Sequence, residues 1–190
     1  MAFYEFEGIV PVIDPTSFVH ETAVVIGDVV VEANCFVGPG AVLRGDLARI
    51  EMRDGSNVQD NCVVHSFWGK DTIIQRHGHV GHGAVIHGCT IGENALIGIN
   101  SVVMDDAVIG KNSWVAALTF VKSETKIPPN LLVVGCPSKI VRELTKEDIE
   151  KKSKGTSNYH HLCKRFPISE KRCEPLAQLN SNRGTMPEPM

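Results

Sequence analysis

The sequence predicts an all-β fold, a left-handed parallel β-helix closed by a C-terminal α-helix, and three observations predict it. Branched aliphatic residues recur at a step of six: Ile91, Ile97, Val103, Ile109, Val115 and Val121 stand in unbroken register, and Val19, Val25, Val31, Val37 and Leu43 form an earlier run. Such a period is too short for a helical solenoid and too long for strand alternation, but it suits short strands joined by tight corners. Small residues stand four positions after the aliphatics, at Ala84, Thr90, Ala95, Ser101, Ala107, Ser113 and Thr119, as the interior of a narrow prism requires. Glycine directly follows several aliphatics (Gly81, Gly92, Gly98, Gly110), at corners where a Cβ would be strained.

Residues 1–18 read as a leading segment in which Pro11 and Pro15 prevent a regular ladder. Coils begin at Val19. The register slips by three residues after Leu43 and resumes at Met52, Val58 and Val64. It slips again after Val64, where residues 66–71 read as a loop four residues longer than the corner they replace, and Ile74, Val80 and Ile86 then continue the winding. Coiling is expected to stop near Pro128 and Pro129, with a last strand and turn over 133–137. Thr145 followed three positions later by Asp148 is a helix N-cap signature, so a helix is expected over 145–153, a break at Gly155 and a second stretch over 157–166. The division is thus a β-helix over 1–140, a helical segment over 141–166 and a loosely held, flexible tail over 167–190 that contains Pro175, Pro187 and Pro189.

One domain is the natural count for 190 residues, and an apolar fraction of 43% suffices for a core. Aromatics make up only 6%, which fits a thin interior of Val, Ile and Ala. A net charge of −3 without a dense basic run gives no footprint for nucleic acid or an anionic membrane. Glu5 and Glu7 stand where a leader would be basic and then apolar, and no stretch approaches the roughly 20 apolar residues of a membrane span, so a cytoplasmic location is expected. Cys35, Cys62, Cys89, Cys136, Cys163 and Cys173 show no CxxC spacing and read as reduced thiols, with Cys35 and Cys62 as compact fillers at small inward positions.

The histidines can be placed by arithmetic. Three hexads make a triangular coil of about 18 residues, and any insertion adds to that. Val64 and Ile86 are 22 residues apart, one coil plus the four-residue loop, so His65 and His87 directly after them should stack on one edge. Leu43 and Val64 are 21 apart, one coil plus the three-residue slip, which brings Arg44 into the same column. Rungs lie about 4.8 Å apart, close enough for stacked imidazoles to converge on a metal. His82 belongs to another face and could join only from a neighbouring subunit. The inference is a homotrimer with three interface sites, each using His65 and His87 of one chain and His82 of the next. Three imidazoles on Zn²⁺ leave a fourth position for a water whose pKa falls to about 7; Fe²⁺ and Co²⁺ accept the same donors. His77 and His79 read as solvated or supporting groups, and His20, His160 and His161 carry no signal.

The ordered segments Leu43-Arg44-Gly45-Asp46, Asn57-Val58-Gln59-Asp60, Val63-Val64-His65 and Gly81-His82-Gly83-Ala84-Val85-Ile86-His87-Gly88-Cys89 resemble the γ-class carbonic anhydrase-like family of hexapeptide-repeat proteins, over about residues 8–145. The opening Phe6-Glu7-Gly8-Ile9-Val10-Pro11-Val12 and the late Gly155-Thr156-Ser157-Asn158-Tyr159 place the likeness nearest its branch linked to coenzyme A-dependent catabolism. The resemblance implies that His65, His82 and His87 bind the metal. It further implies that Arg44 and Asp46 form an ion pair across the subunit boundary, that Asn57, Gln59 and Asp60 orient water and substrate, and that Tyr159 closes the site from the C-terminal helix. The loop after His65 departs from the family pattern: Phe67 and Trp68 stand where established anhydrases carry a proton-relaying acidic loop, and only Asp71 remains near its end.

Three functions are therefore weighed. The first is a metal-dependent enzyme whose metal-bound hydroxide attacks an acyl-CoA thioester or CO₂, the apolar loop favouring the thioester. The second is a CoA-dependent hexapeptide acyltransferase, which needs one general-base histidine rather than a cluster. The third is a non-catalytic accessory protein in which metal clamps the trimer.

Overall fold

The computed structural model describes residues 2–178 together with Arg183, Gly184 and Met186, so the expectation for Pro187 and Pro189 lies outside the described residues. Along Val24–Val31 burial alternates residue by residue, the period of a pleated strand with one face inside. Repeated around about seven turns, short strands of this kind build three parallel faces of a prism. One face stacks the first part of Val42–Met52 with Val63–His65, Val85–His87, Val102–Val103 and Phe120–Val121. A second stacks the later part of Val42–Met52 with Thr72–Ile74, Thr90–Ile91, Val108–Ile109 and Lys126–Ile127. The third runs from Phe18–Val19 through Phe36–Val37, Asn57–Val58, His79–Val80, Leu96–Ile97 and Trp114–Val115 to Leu131–Val134.

The six-residue aliphatics fill the axis: Leu43, Ile86, Ile97 and Ile109 are fully buried. Small residues fit between them, and the hydroxyls among these are satisfied, with Ser101 Oγ donating to the Ala116 carbonyl at 2.8 Å and Ser113 Oγ to that of Pro128 at 2.7 Å. Thr90 is not one of them. The step from Ile86 to Ile91 is five residues, so the shortened corner puts Cys89 inside, 2% exposed, and leaves Thr90 half-buried on the outer side. Six free thiols are present, of which Cys35, Cys62, Cys89 and Cys163 are buried.

The corner glycines have a different cause from the one expected. None of Gly81, Gly92, Gly98 and Gly110 has a positive φ. Instead a Cβ on Gly98 would lie 2.4 Å from Ala117 N, and one on Gly92 2.4 Å from the Ile109 carbonyl oxygen, so the next coil fits only over a bare Cα. The left-handed residues come two positions later, at Asn94, Asn100 and Asn112, where a short amide side chain tolerates that backbone.

Three further expectations are corrected. The leading segment does join the ladder, Ala2–Tyr4 and Val12–Ile13 both pairing parallel with Val24–Val31; Pro11 and Pro15 fall between the pairing stretches. Coiling continues past Pro128 and Pro129 to Val134, after which Lys139–Glu143 turns back antiparallel. The helix is single, Lys146–Ser169, without a break at Gly155. Its capping box is formed by Thr145 and Asp148, and Lys152, Thr156 and Cys163 bury it on both sides of the glycine, outweighing the roughly 1 kcal/mol that glycine costs. Pro167 lies in the last turn, where it removes one hydrogen bond near a natural end. Among the described residues no helix is long and apolar enough to cross a membrane.

The helix lies along the third face. Phe166 packs on Phe18 with ring centroids 4.9 Å apart, and Lys152 Nζ donates to the His77 carbonyl at 2.5 Å and to Asn94 Oδ1 at 2.9 Å. Burial pushes the Lys152 amine down to about 7. The unfolded chain therefore binds one more proton than the folded chain between about pH 7 and its ordinary value of 10.5, and stability rises with pH across that window, by on the order of 4 kcal/mol. Urea unfolding at pH 7 and pH 10 is expected to show this rise in the native protein and its loss in Lys152→Met.

Candidate functional site

Each residue after an inward aliphatic must point outward, and the ladder stacks three such residues directly. Arg44 is the register partner of His65, and His65 of His87. The slips in the sequence thus lengthen coils without disturbing this column.

The two imidazoles face each other, His65 Nδ1 lying 3.0 Å from His87 Nε2. Their outer nitrogens are held by carboxylates: Asp46 Oδ1 is 2.8 Å from His65 Nε2, and Asp105 Oδ1 is 2.7 Å from His87 Nδ1. A carboxylate accepts, so each outer nitrogen carries a ring proton, and in a neutral ring the inner nitrogen is left as an acceptor. Two such nitrogens 3.0 Å apart are joined either by a proton shared between the rings or by a metal ion. Burial raises Asp46, but hydrogen bonds from His65 and Arg44 outweigh it and hold the carboxyl below its ordinary value. Asp105 is absent from the candidates named from the sequence; the coil from Ile86 to Val103 is 17 residues, so Met104 is opposite His87 in the ladder and Asp105, one residue further, reaches back to the imidazole from the corner.

Arg44 pairs Asp46 within the chain. Two positions apart on one strand, the side chains share a face. His82 lies beyond the strand His79–Val80 on the third face, its side chain 46% exposed, with Nδ1 on Asp60. It too has one nitrogen on a carboxylate and the other uncommitted among the described residues. In a single chain no three His, Cys, Asp or Glu side chains among the described residues come together as a metal site.

Asn57, Gln59 and Tyr159 form a separate group beneath the helix. Gln59 Nε2 reaches Asn57 Oδ1 at 3.1 Å and His79 Nε2 at 2.6 Å; Asn57 Nδ2 lies 3.3 Å and Thr156 Oγ1 3.4 Å from His79 Nδ1. The Tyr159 ring stands edge-on to His79 at 5.3 Å. Burial pushes His79 down to about 3 and Tyr159 up to about 12, so both are uncharged. Sequence reasoning set His79 aside; that it precedes Val80 on a strand, and so points outward under the helix, was the available signal. The loop after His65 is pinned by paired backbone bonds between Phe67 and Lys70, placing the Phe67 ring 6.2 Å from that of His87 and leaving Trp68 70% exposed.

A three-faced parallel solenoid with outward polar columns defines a hexapeptide-repeat protein. The family model described as bacterial transferase hexapeptide (six repeats) matches residues 88–123. The carnitine operon protein CaiE of Escherichia coli (strain K12) is 45% identical over 183 residues, 96% of this chain and 93% of the relative. On that likeness the chain belongs to the CaiE family of hexapeptide-repeat proteins. Two solved structures share its fold. A hexapeptide transferase family protein from Anaplasma phagocytophilum is 37% identical with a TM-score of 0.84, covering 87% of this chain and 98% of that one. A putative acetyltransferase from Bacillus cereus is 31% identical with a TM-score of 0.85, covering 87% and 96%.

Proposed function

We propose that this chain is a metal-dependent hydrolase of the γ-carbonic anhydrase-like, PaaY/CaiE type, acting on an acyl-CoA thioester at a site shared between subunits of a homotrimer. The observation that carries this reading is the 3.0 Å approach of His65 Nδ1 to His87 Nε2, with the other nitrogen of each ring held by its own carboxylate. Carboxylate-held imidazoles are the usual arrangement of histidine ligands. His82, with Asp60 on one nitrogen, supplies the third donor from a neighbouring copy. Zn²⁺, or Fe²⁺ or Co²⁺, would supply the Lewis acidity that makes water nucleophilic at neutral pH. Asp46 and Asp105 keep the ring tautomers fixed, and Gln59 offers a polar group to water. Phe67 and Trp68 give the acyl group an apolar wall, in place of the acidic relay that rapid CO₂ hydration needs.

A second reading, CoA-dependent acyl transfer, is favoured by the likeness to a hexapeptide transferase family protein and an acetyltransferase among the solved structures. The two separate in one experiment on purified protein with its metal counted. Hydrolysis of phenylacetyl-CoA and acetyl-CoA, CO₂ hydration, and acetyl transfer to an amine are each followed before and after chelation. About one metal per chain and thioester hydrolysis lost on chelation are expected. Acetyl transfer that survives chelation would establish the second reading, faster CO₂ hydration would change the substrate, and metal with no turnover would make the protein an accessory factor.

A further inference from the structure

We infer that Met104 and Phe67 form an acyl-binding subsite on the C-terminal side of His87, suited to an uncharged apolar acyl group larger than acetyl, and that Met104 is a specificity-determining residue. This rests on the hydrolase reading above. The register that pairs Val85 with Val102 and Ile86 with Val103 continues to His87 and Met104, so the Met104 backbone lies one rung, about 4.8 Å, beyond that of His87. Met104 follows the inward Val103 and therefore points out of the prism, where it is half-buried. Val85 and Val102, which precede Ile86 and Val103, are also outward and half-buried, in the neighbouring column of the same face.

The surroundings of the histidine pair are one-sided. Toward the N-terminus the next residue of the column is Arg44, paired with Asp46; toward the C-terminus it is Met104. The loop after His65 leans to the apolar side. Its stems are fixed by two fully buried hydroxyl residues, Ser66 Oγ donating to the Ala48 carbonyl at 2.7 Å and Thr72 Oγ1 to that of His65 at 2.6 Å. From there the loop rises two coils, where Lys70 Nζ pairs with Asp106, and it carries the Phe67 ring to 6.2 Å from that of His87. Phe67 remains 46% exposed. An acyl group at the histidine pair thus gains apolar contact by lying toward Met104, whereas toward Arg44 it would take water from an ion pair. An unbranched thioether suits the place, because it adapts to the shape of the group it meets and packs favourably on rings.

Substrate preference and one spectrum test this. In the native protein kcat/KM for phenylacetyl-CoA is expected to exceed that for acetyl-CoA by on the order of tenfold or more. Met104→Ala should lower that ratio about fivefold or more, and Met104→Leu should keep most of it. Val108→Ala, on the second face, should leave the ratio native. In protein labelled with methyl-¹³C methionine, the resonance that disappears in Met104→Leu should shift as the inert thioether phenethyl-CoA is added, while that of the fully buried Met52 stays in place. This readout needs no turnover. Hydrolysis with an unmoved Met104 methyl, or with a ratio that Met104→Ala leaves native, overturns the subsite and leaves the hydrolase reading standing. A shifted Met104 methyl in a protein that hydrolyses neither thioester sinks the hydrolase reading and leaves the subsite, and the absence of both shift and hydrolysis overturns the two together.

Discussion

Replacing His87 with alanine is expected to strip the metal and lower thioester hydrolysis more than about 100-fold, because even groups that merely support a ligand are worth 10–100-fold. The substitution leaves His65 Nδ1 facing an empty gap and Asp105 without its imidazole. It should leave the fold alone, since the His87 side chain is 25% exposed and stands outside the prism. Metal per chain and kcat, measured beside the melting temperature, check all three statements. Asp105→Asn separates ligand from support: its loss should fall in the 10–100-fold range with metal still bound at high metal concentration. If His87→Ala kept both metal and rate, the column would be structural.

Ile97→Ala is expected to cost about 3 kcal/mol, within the range for large-to-small changes in a closed core. Ile97 is fully buried, and its coil is fastened above and below through Val80 and Val115, so the walls cannot collapse into the cavity. Ile99, two positions on and 49% exposed, supplies the control: Ile99→Ala should change stability by less than about 0.5 kcal/mol. Chemical unfolding midpoints of the two variants decide whether the six-residue aliphatics carry the prism.

The prism was legible because its signal is periodic and each coil contacts only its neighbours, so errors do not accumulate. Arithmetic on the two slips put Arg44, His65 and His87 in one column, which the ladder bears out. One more step along the column reaches Met104, so the same arithmetic passes Asp105 by, one residue further on at the corner. What escaped was whatever depends on a second element arriving from far along the chain. Gly155 breaks helices by local propensity, but burial of Lys152 and Thr156 around it is a tertiary effect. The surroundings of His79 are completed only when Thr156 and Tyr159 fold back over it, 77 residues away in the case of Thr156. Cys89 was displaced by Thr90 in the reading because a hexad shortened by one residue looks regular until its corner is built.

Winding strands in parallel leaves raw backbone edges at both ends of the column, and such edges invite further strands to add without limit. Here the last edge of the third face is occupied by a strand of reversed direction, Lys139–Glu143, whose five residues are all exposed and include Lys139, Arg142 and Glu143. A neighbour approaching to extend that face meets reversed polarity and the charges of Lys139, Arg142 and Glu143, set around the exposed Ile140 and Val141. The turn at the end of the solenoid thus blunts one of the three faces along which a chain built on the logic of a filament could grow.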